Sequence, residues 1–358
     1  MTITTDEVMT MKKRYAELSP NLTPTLWEMI SDVAVQGVNE NSGHALNAIV
    51  QPQGRYVERA VGDARAPYKS KKAGLVMANP DALLGEETYL RPNGQAYVAR
   101  LWGEHQDVAT LRKAREATTQ AVISGKGNPI FPLLYGAPGT GKTALIEASF
   151  GEGVRTLVGN GDIEVSDLLG GFVQTPSGNF EWIDGDLVKC MENGWVYFVD
   201  EIGLIDTKVL AILYGIMDGR RELTITANPE RGVIKAHPDF FVVSATNPNA
   251  PGVVLSEALL SRFLLQAEMT TDWNLAKKLG VPAMLVTSAQ NLYRKQLNGE
   301  VSWSPQMREL LGFRDVAENF GMNFAISNLL ASAPENDRAT VADVLSRAFG
   351  EECKPAKI

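Results

Sequence analysis

The 358-residue chain is poor in the residues that build disulfide and metal scaffolds. It has two cysteines, Cys190 and Cys353, and three histidines, His44, His105 and His237, scattered without metal-ligand spacing. A cysteine framework or a His/Cys metal centre is therefore not expected, and a reducing, cytoplasmic setting suits the chain. Long apolar runs are missing too: none reaches the roughly 18 residues of a membrane span. The start, Met1-Thr-Ile-Thr-Thr-Asp-Glu, lacks the basic opening and apolar segment of a secretion signal. Excess positive charge is also absent. A net charge of −8 argues against a general nucleic-acid coat while leaving room for a local basic patch.

With 44% hydrophobic and 21% charged residues, the chain reads as a globular protein long enough for two or three domains. Residues 1–103 show no strong period and form a region of unassigned fold. They include a basic stretch, Arg55, Arg59, Arg65, Lys69, Lys71 and Lys72, which reads either as a solvated surface loop or as a docking or nucleic-acid patch. A helix is expected over 105–124, ended at Gly125. Residues 104–270 alternate apolar strands (130–135, 154–158, 195–199, 240–245, 263–267) with helices (142–150, 184–193, 206–218, 256–261). That alternation implies an α/β domain whose parallel sheet is covered on both faces. From 271 to 358 only helical periods remain, at 272–279, 283–298, 305–320, 322–331 and 338–349.

The most specific signal is Gly136-Ala137-Pro138-Gly139-Thr140-Gly141-Lys142-Thr143, placed between an apolar strand and a helix. Its form, G-x-x-x-x-G-K-T, is that of a phosphate-binding loop. The glycines let the backbone turn so that its N–H groups face phosphate oxygens, and the following helix adds the positive end of its dipole. Lys142 is expected to reach the β- and γ-phosphates of ATP, and the Thr143 hydroxyl to ligate Mg²⁺. A second apolar run ends in Asp200-Glu201, carboxylates placed at the ligand-binding edge of such a sheet. Asp200 is expected to hold the Mg²⁺ shell and Glu201 to polarise the attacking water. The next strand ends in Asn247-Pro248, either a water-positioning amide or a simple turn. Arg262 follows a short helix. It reads either as a helix-end cation or as an arginine finger reaching a neighbouring subunit's γ-phosphate. Phe172, Phe180 and Trp182 alternate with polar residues about Thr175-Pro-Ser-Gly178, a hairpin whose aromatics either pack on their own domain or grip a substrate chain. Arg220 and Arg221 are candidates for intersubunit contacts or surface ion pairs, and Asn160 for restraining Glu201.

These motifs, in this order, resemble AAA+ ATPases over residues 105–350, and most closely the MoxR-like branch with its CbbQ/NorQ-type activators and, more distantly, McrB and midasin. The resemblance implies a P-loop AAA+ three-layer sandwich followed by a small helical lid. It implies a helix-2 insertion hairpin around 171–182, a second hairpin at 221–226 and 233–237, and Arg308 as the sensor arginine of the lid. It further implies ATP and Mg²⁺ as cofactors, a ring-shaped homo-oligomer expected to be hexameric, and remodelling of a protein substrate or adaptor, such as one carrying a von Willebrand A domain. A nucleic-acid-directed motor or restriction-type subunit is the alternative, weakly supported by the 55–72 stretch and opposed by the acidic total. A nucleotide-gated scaffold without turnover is disfavoured by the intact Lys142, Asp200, Glu201 and Arg262.

Overall fold

The structure, a computed structural model, describes residues 87–355. His44 and the basic stretch at 55–72 lie outside the described residues. The chain enters through two small antiparallel hairpins, β1 (Thr88–Leu90) with β2 (Ala96–Val98) and β3 (Leu101–Trp102) with β4 (His105–Gln106). The first turns at Asn93-Gly94, where Gly94 takes φ 78°, a backbone state open to glycine. Tyr89 and Tyr97 from this hairpin are buried in the same core as the residues of the α/β region that follows. The packed unit thus begins before the expected boundary at 103/104, which falls in the turn between β3 and β4.

Helix α1 (Asp107–Ser124) ends at Gly125 in the left-handed region, as its sequence predicts. Then come β5 (Pro132–Tyr135), α2 (Lys142–Phe150), β6 (Val154–Val158), α3 (Val165–Leu169), β7 (Gly170–Gln174), β8 (Phe180–Asp184) and α4 (Asp186–Asn193). They are followed by β9 (Val196–Asp200), α5 (Thr207–Leu210), α6 (Ile212–Met217), β10 (Glu222–Thr224), β11 (Val233–Lys235), β12 (Phe241–Thr246), α7 (Glu257–Leu260) and β13 (Leu265–Glu268). The single helix expected over 206–218 is two short ones meeting at Ala211.

Five strands form one parallel sheet in the order β13-β5-β12-β9-β6. Every residue of β12 is buried, as are Val196 to Val199 of β9, so both faces of the sheet centre are covered and three layers result. The two edge strands are largely uncovered. Two antiparallel hairpins complete this body: β7 with β8, whose strands are mostly exposed, and β10 with β11, whose Ile234 is buried in the same core.

The lid is all helical: α8 (Trp273–Lys278), α9 (Ala283–Leu297), α10 (Met307–Phe320), α11 (Met322–Ser332) and α12 (Arg338–Phe349). It buries its own core, with Leu285, Leu310, Leu330, Val341 and Leu345 fully enclosed. The sheet domain's core ends at Met269 and the lid's begins at Ala276. Among the described residues no helix is long and apolar enough to cross a membrane.

Candidate nucleotide site

The phosphate loop spans the turn from β5 to α2, at the edge where the strand order reverses around β5. Gly136, Gly139 and Gly141 take φ 144°, 79° and 96°. Gly136 is also sterically closed, and Gly139 is tight. A Cβ on Gly136 would lie 2.3 Å from the Met269 carbonyl oxygen, and one on Gly139 would lie 3.0 Å from Arg308 Cβ. Gly136→Ala is therefore expected to cost about 1–3 kcal/mol of stability through strain and steric conflict. Thermal unfolding checks it. A variant as stable as the parent would show that the Met269 backbone yields.

Within the loop, Lys142 Nζ donates to the carbonyls of Gly136 (2.9 Å) and Ala137 (3.0 Å). Thr140 Oγ1 also donates to the Ala137 oxygen, at 2.9 Å. Exposed Pro138, which has no N–H to give, sits at the loop's tip. Burial pushes the Lys142 ammonium below its usual pKa, the Glu201 and Asp200 carboxylates draw it back up, and the Arg308 charge opposes them. An ammonium held on carbonyls and flanked by carboxylates is a cation awaiting a polyanion.

Thr143 Oγ1 donates to Asp200 Oδ2 at 3.1 Å, so the two expected metal ligands are neighbours. A hydroxyl and a carboxylate beside a phosphate cradle are hard oxygen donors of the kind Mg²⁺ takes when it keeps substrate phosphates in its shell. The residues present fit that ion.

Glu201 follows Asp200 in the left-handed region, φ 49°. A non-glycine residue there is strained, and such strain concentrates where a side chain must be aimed. The backbone N–H of Asn247 donates to Glu201 Oε2 at 3.3 Å, tying the tip of β12 to the carboxylate. The Asn247 side chain also forms the turn: its Oδ1 accepts from Asn249 N. Both expectations for Asn247 thus have a physical basis, since turn-making engages the oxygen and leaves the amide Nδ2. Asn160, by contrast, accepts from Asp162 N and makes no bond to Glu201.

Arg308 lies in the first turn of α10, and its backbone N–H donates to the Gly139 oxygen at 3.1 Å. The lid helix is thereby docked on the loop. Sequence reasoning passed over a third prop. Arg100 Nη1 donates to Thr140 O (3.2 Å) and Thr270 O (3.3 Å), bracing the loop against the strand leading to the lid. Buried Asp107 steadies Arg100 by accepting from its backbone N–H and from Tyr97. The Asn93-Gly94 dipeptide between two short Tyr-bearing runs was the local signal that this segment is folded.

Residues 132–263 match the family model for the AAA domain, dynein-related subfamily. The match starts at the strand before the loop and ends one residue after Arg262, so it contains every expected site residue except Arg308. The chain is also 28% identical, over 58% of its length and 85% of the relative's, to an uncharacterized protein of Staphylococcus haemolyticus. It is 37% identical over 142 residues to one of Staphylococcus epidermidis and 36% over 145 residues to one of Staphylococcus aureus. The chain spans about half the length of these last two, 53% in each case. A solved candidate ATPase of Cytophaga hutchinsonii aligns at 16% identity, over 66% of this chain and 86% of its own, with a TM-score of 0.35, and adds nothing to the fold argument.

The remaining candidates lie on the surface of the α/β domain or in its core. Arg262 is partly exposed. Its Nη1 donates to Ala258 O, as a helix-closing arginine does, and its guanidinium lies 4.5 Å from the Tyr214 ring centre. Arg220 is exposed and pairs with Asp218 at 2.7 Å. Arg221 is neither a surface pair nor an intersubunit group: it is buried and donates to the carbonyls of His237 and Phe240. Burial pushes its pKa down to about 10. The β7–β8 hairpin rests on the domain through half-buried Trp182, which Phe172 meets edge-on at 5.2 Å, yet Phe172 and Phe180 stay 56% and 66% exposed. Arg231, from the turn of the second hairpin, donates to Asp184 and to Glu192, at 2.7 Å each through Nη2. Trp182 Nε1 donates to the same Asp184.

Proposed function

We propose that the chain is a Mg²⁺-dependent ATPase of the MoxR-like AAA+ type. It works as a ring, expected to be a hexamer, and remodels a protein partner, such as one with a von Willebrand A domain. The observation that carries the reading is the convergence of Lys142, Thr143, Asp200 and Glu201 on one sheet edge, with Thr143 and Asp200 in direct contact.

Bound Mg²⁺ would neutralise phosphate charge. Thr143 and Asp200 are the residues to hold it. The loop's N–H groups and Lys142 bind and orient the triphosphate, so the γ-phosphate sits near the Asp200-Glu201 edge. Glu201, fixed by the Asn247 N–H, accepts a proton from the attacking water at its carboxylate. Asn247 Nδ2 is available to orient that water. Arg308, at the start of the lid helix, gives the lid a charge beside the loop. Arg262 supplies a further guanidinium to the neighbour's site. The exposed Phe172 and Phe180 suit contact with a polypeptide.

Lys142→Ala is expected to weaken ATP binding about 10- to 100-fold, the scale of a lost charge-assisted contact. Titration with ATP and Mg²⁺ measures it. Unchanged affinity would remove the loop from the nucleotide site.

A further inference from the structure

Arg262 is held by more than its own helix. Its Nε donates to the Tyr214 backbone oxygen at 3.4 Å, and the Tyr214 ring lies under the guanidinium at 4.5 Å. The Tyr214 hydroxyl is in turn bonded to Ser256 Oγ at 2.8 Å. Ser256 is the N-cap of α7, where its side chain accepts from Leu259 N. One tyrosine therefore ties both the N-cap of the short helix and the arginine that follows its C-cap. A four-residue helix has little stability of its own, so its placement depends on such ties.

A guanidinium has five N–H donors. Nε and one Nη1 donor are used, on Tyr214 O and Ala258 O, and Nη2 makes no hydrogen bond with the described residues. The arginine is thus oriented by contacts that leave one edge of its fork for an anion. A cation over a tyrosine face is held without neutralising its charge, unlike one paired with a carboxylate. Asp218 lies close enough to feel the Arg262 charge, but its hydrogen bonds go to Arg220.

We propose that Tyr214 is the positioning residue for Arg262, a platform that fixes the guanidinium before a neighbouring subunit's nucleoside triphosphate arrives. This rests on the arginine-finger reading of Arg262. Without the platform, an arginine must be ordered at the moment of reaction, which raises the barrier rather than weakening substrate binding.

The test uses the full chain and its ATPase rate. Tyr214→Leu is expected to lower kcat about tenfold, with KM for ATP within about twofold, because the loop that binds ATP belongs to the other subunit. Tyr214→Phe keeps the ring under the guanidinium and gives up only the Ser256 tie, so it is expected to be slowed less than Tyr214→Leu. Should Tyr214→Leu not fold, Tyr214→Met is the second apolar variant. The double variant Tyr214→Leu/Arg262→Ala is expected to be no slower than Arg262→Ala alone, since both changes act through one group. Multiplying losses, or a Tyr214→Leu faster than the parent, would overturn the platform. Normal turnover in Tyr214→Leu beside a slow Arg262→Ala overturns the platform alone. Normal turnover in Arg262→Ala overturns the finger reading, and the platform with it.

Discussion

Arg262→Ala is expected to bind ATP normally and hydrolyse it about 10³-fold more slowly, the magnitude associated with removal of an arginine finger. Binding survives because the phosphate cradle, Gly136 to Thr143, makes no contact with Arg262 in its own subunit. The arginine's acceptors there are the carbonyls of Tyr214 and Ala258. Mixing makes the test sharper. A Lys142→Ala subunit carries a sound Arg262 but a damaged loop, and an Arg262→Ala subunit the reverse. Rings containing both include some sites with an intact loop and an intact arginine. Mixing two inactive proteins should therefore restore part of the activity. Mixed rings that form and stay inactive would return Arg262 to the role its Ala258 contact already illustrates, closing its own helix.

For Glu201→Gln, hydrolysis is expected to fall about 10²- to 10⁴-fold with ATP affinity retained. The amide is the same size and can still accept the Asn247 N–H at 3.3 Å, so the strained turn at φ 49° keeps its anchor. What disappears is the capacity to take a proton. Single-turnover hydrolysis, measured beside ATP binding, separates the two steps. Turnover at the parent's rate would remove Glu201 from the chemistry and leave its backbone strain without a catalytic purpose. Wild-type affinity with no hydrolysis would also give a trapped state for finding partners.

Local patterns carried most of the fold. The alternation of apolar runs with helical periods yields the five sheet strands and the lid helices to within a few residues. Glycine spacing yields the loop, and the apolar run before Asp200 places the carboxylates on the sheet edge. What stayed hidden depends on contacts far apart in sequence. Arg100 braces Thr140 and Thr270 through their carbonyls, and a backbone acceptor leaves no mark on residue identity. Arg221 reads as a surface cation beside Arg220, although it is buried on two carbonyls. Neither the left-handed turn at Glu201 nor its tie to Asn247 N could be read, because glutamate carries no preference for that conformation. Asn160 accepts from Asp162 N through Oδ1 and has no hydrogen bond to Glu201.

The Asp184 carboxylate has a mechanical consequence. It receives Trp182 from its own hairpin and Arg231 from the other, while Arg231 also holds Glu192 on α4. Hydrogen bonding to Arg231 keeps that carboxyl below the usual range, so the joint stays charged well into acid. A load on the first ribbon at Asp184 therefore has a direct ionic path to the second through Arg231. The two ribbons thus share one carboxylate as a common anchor.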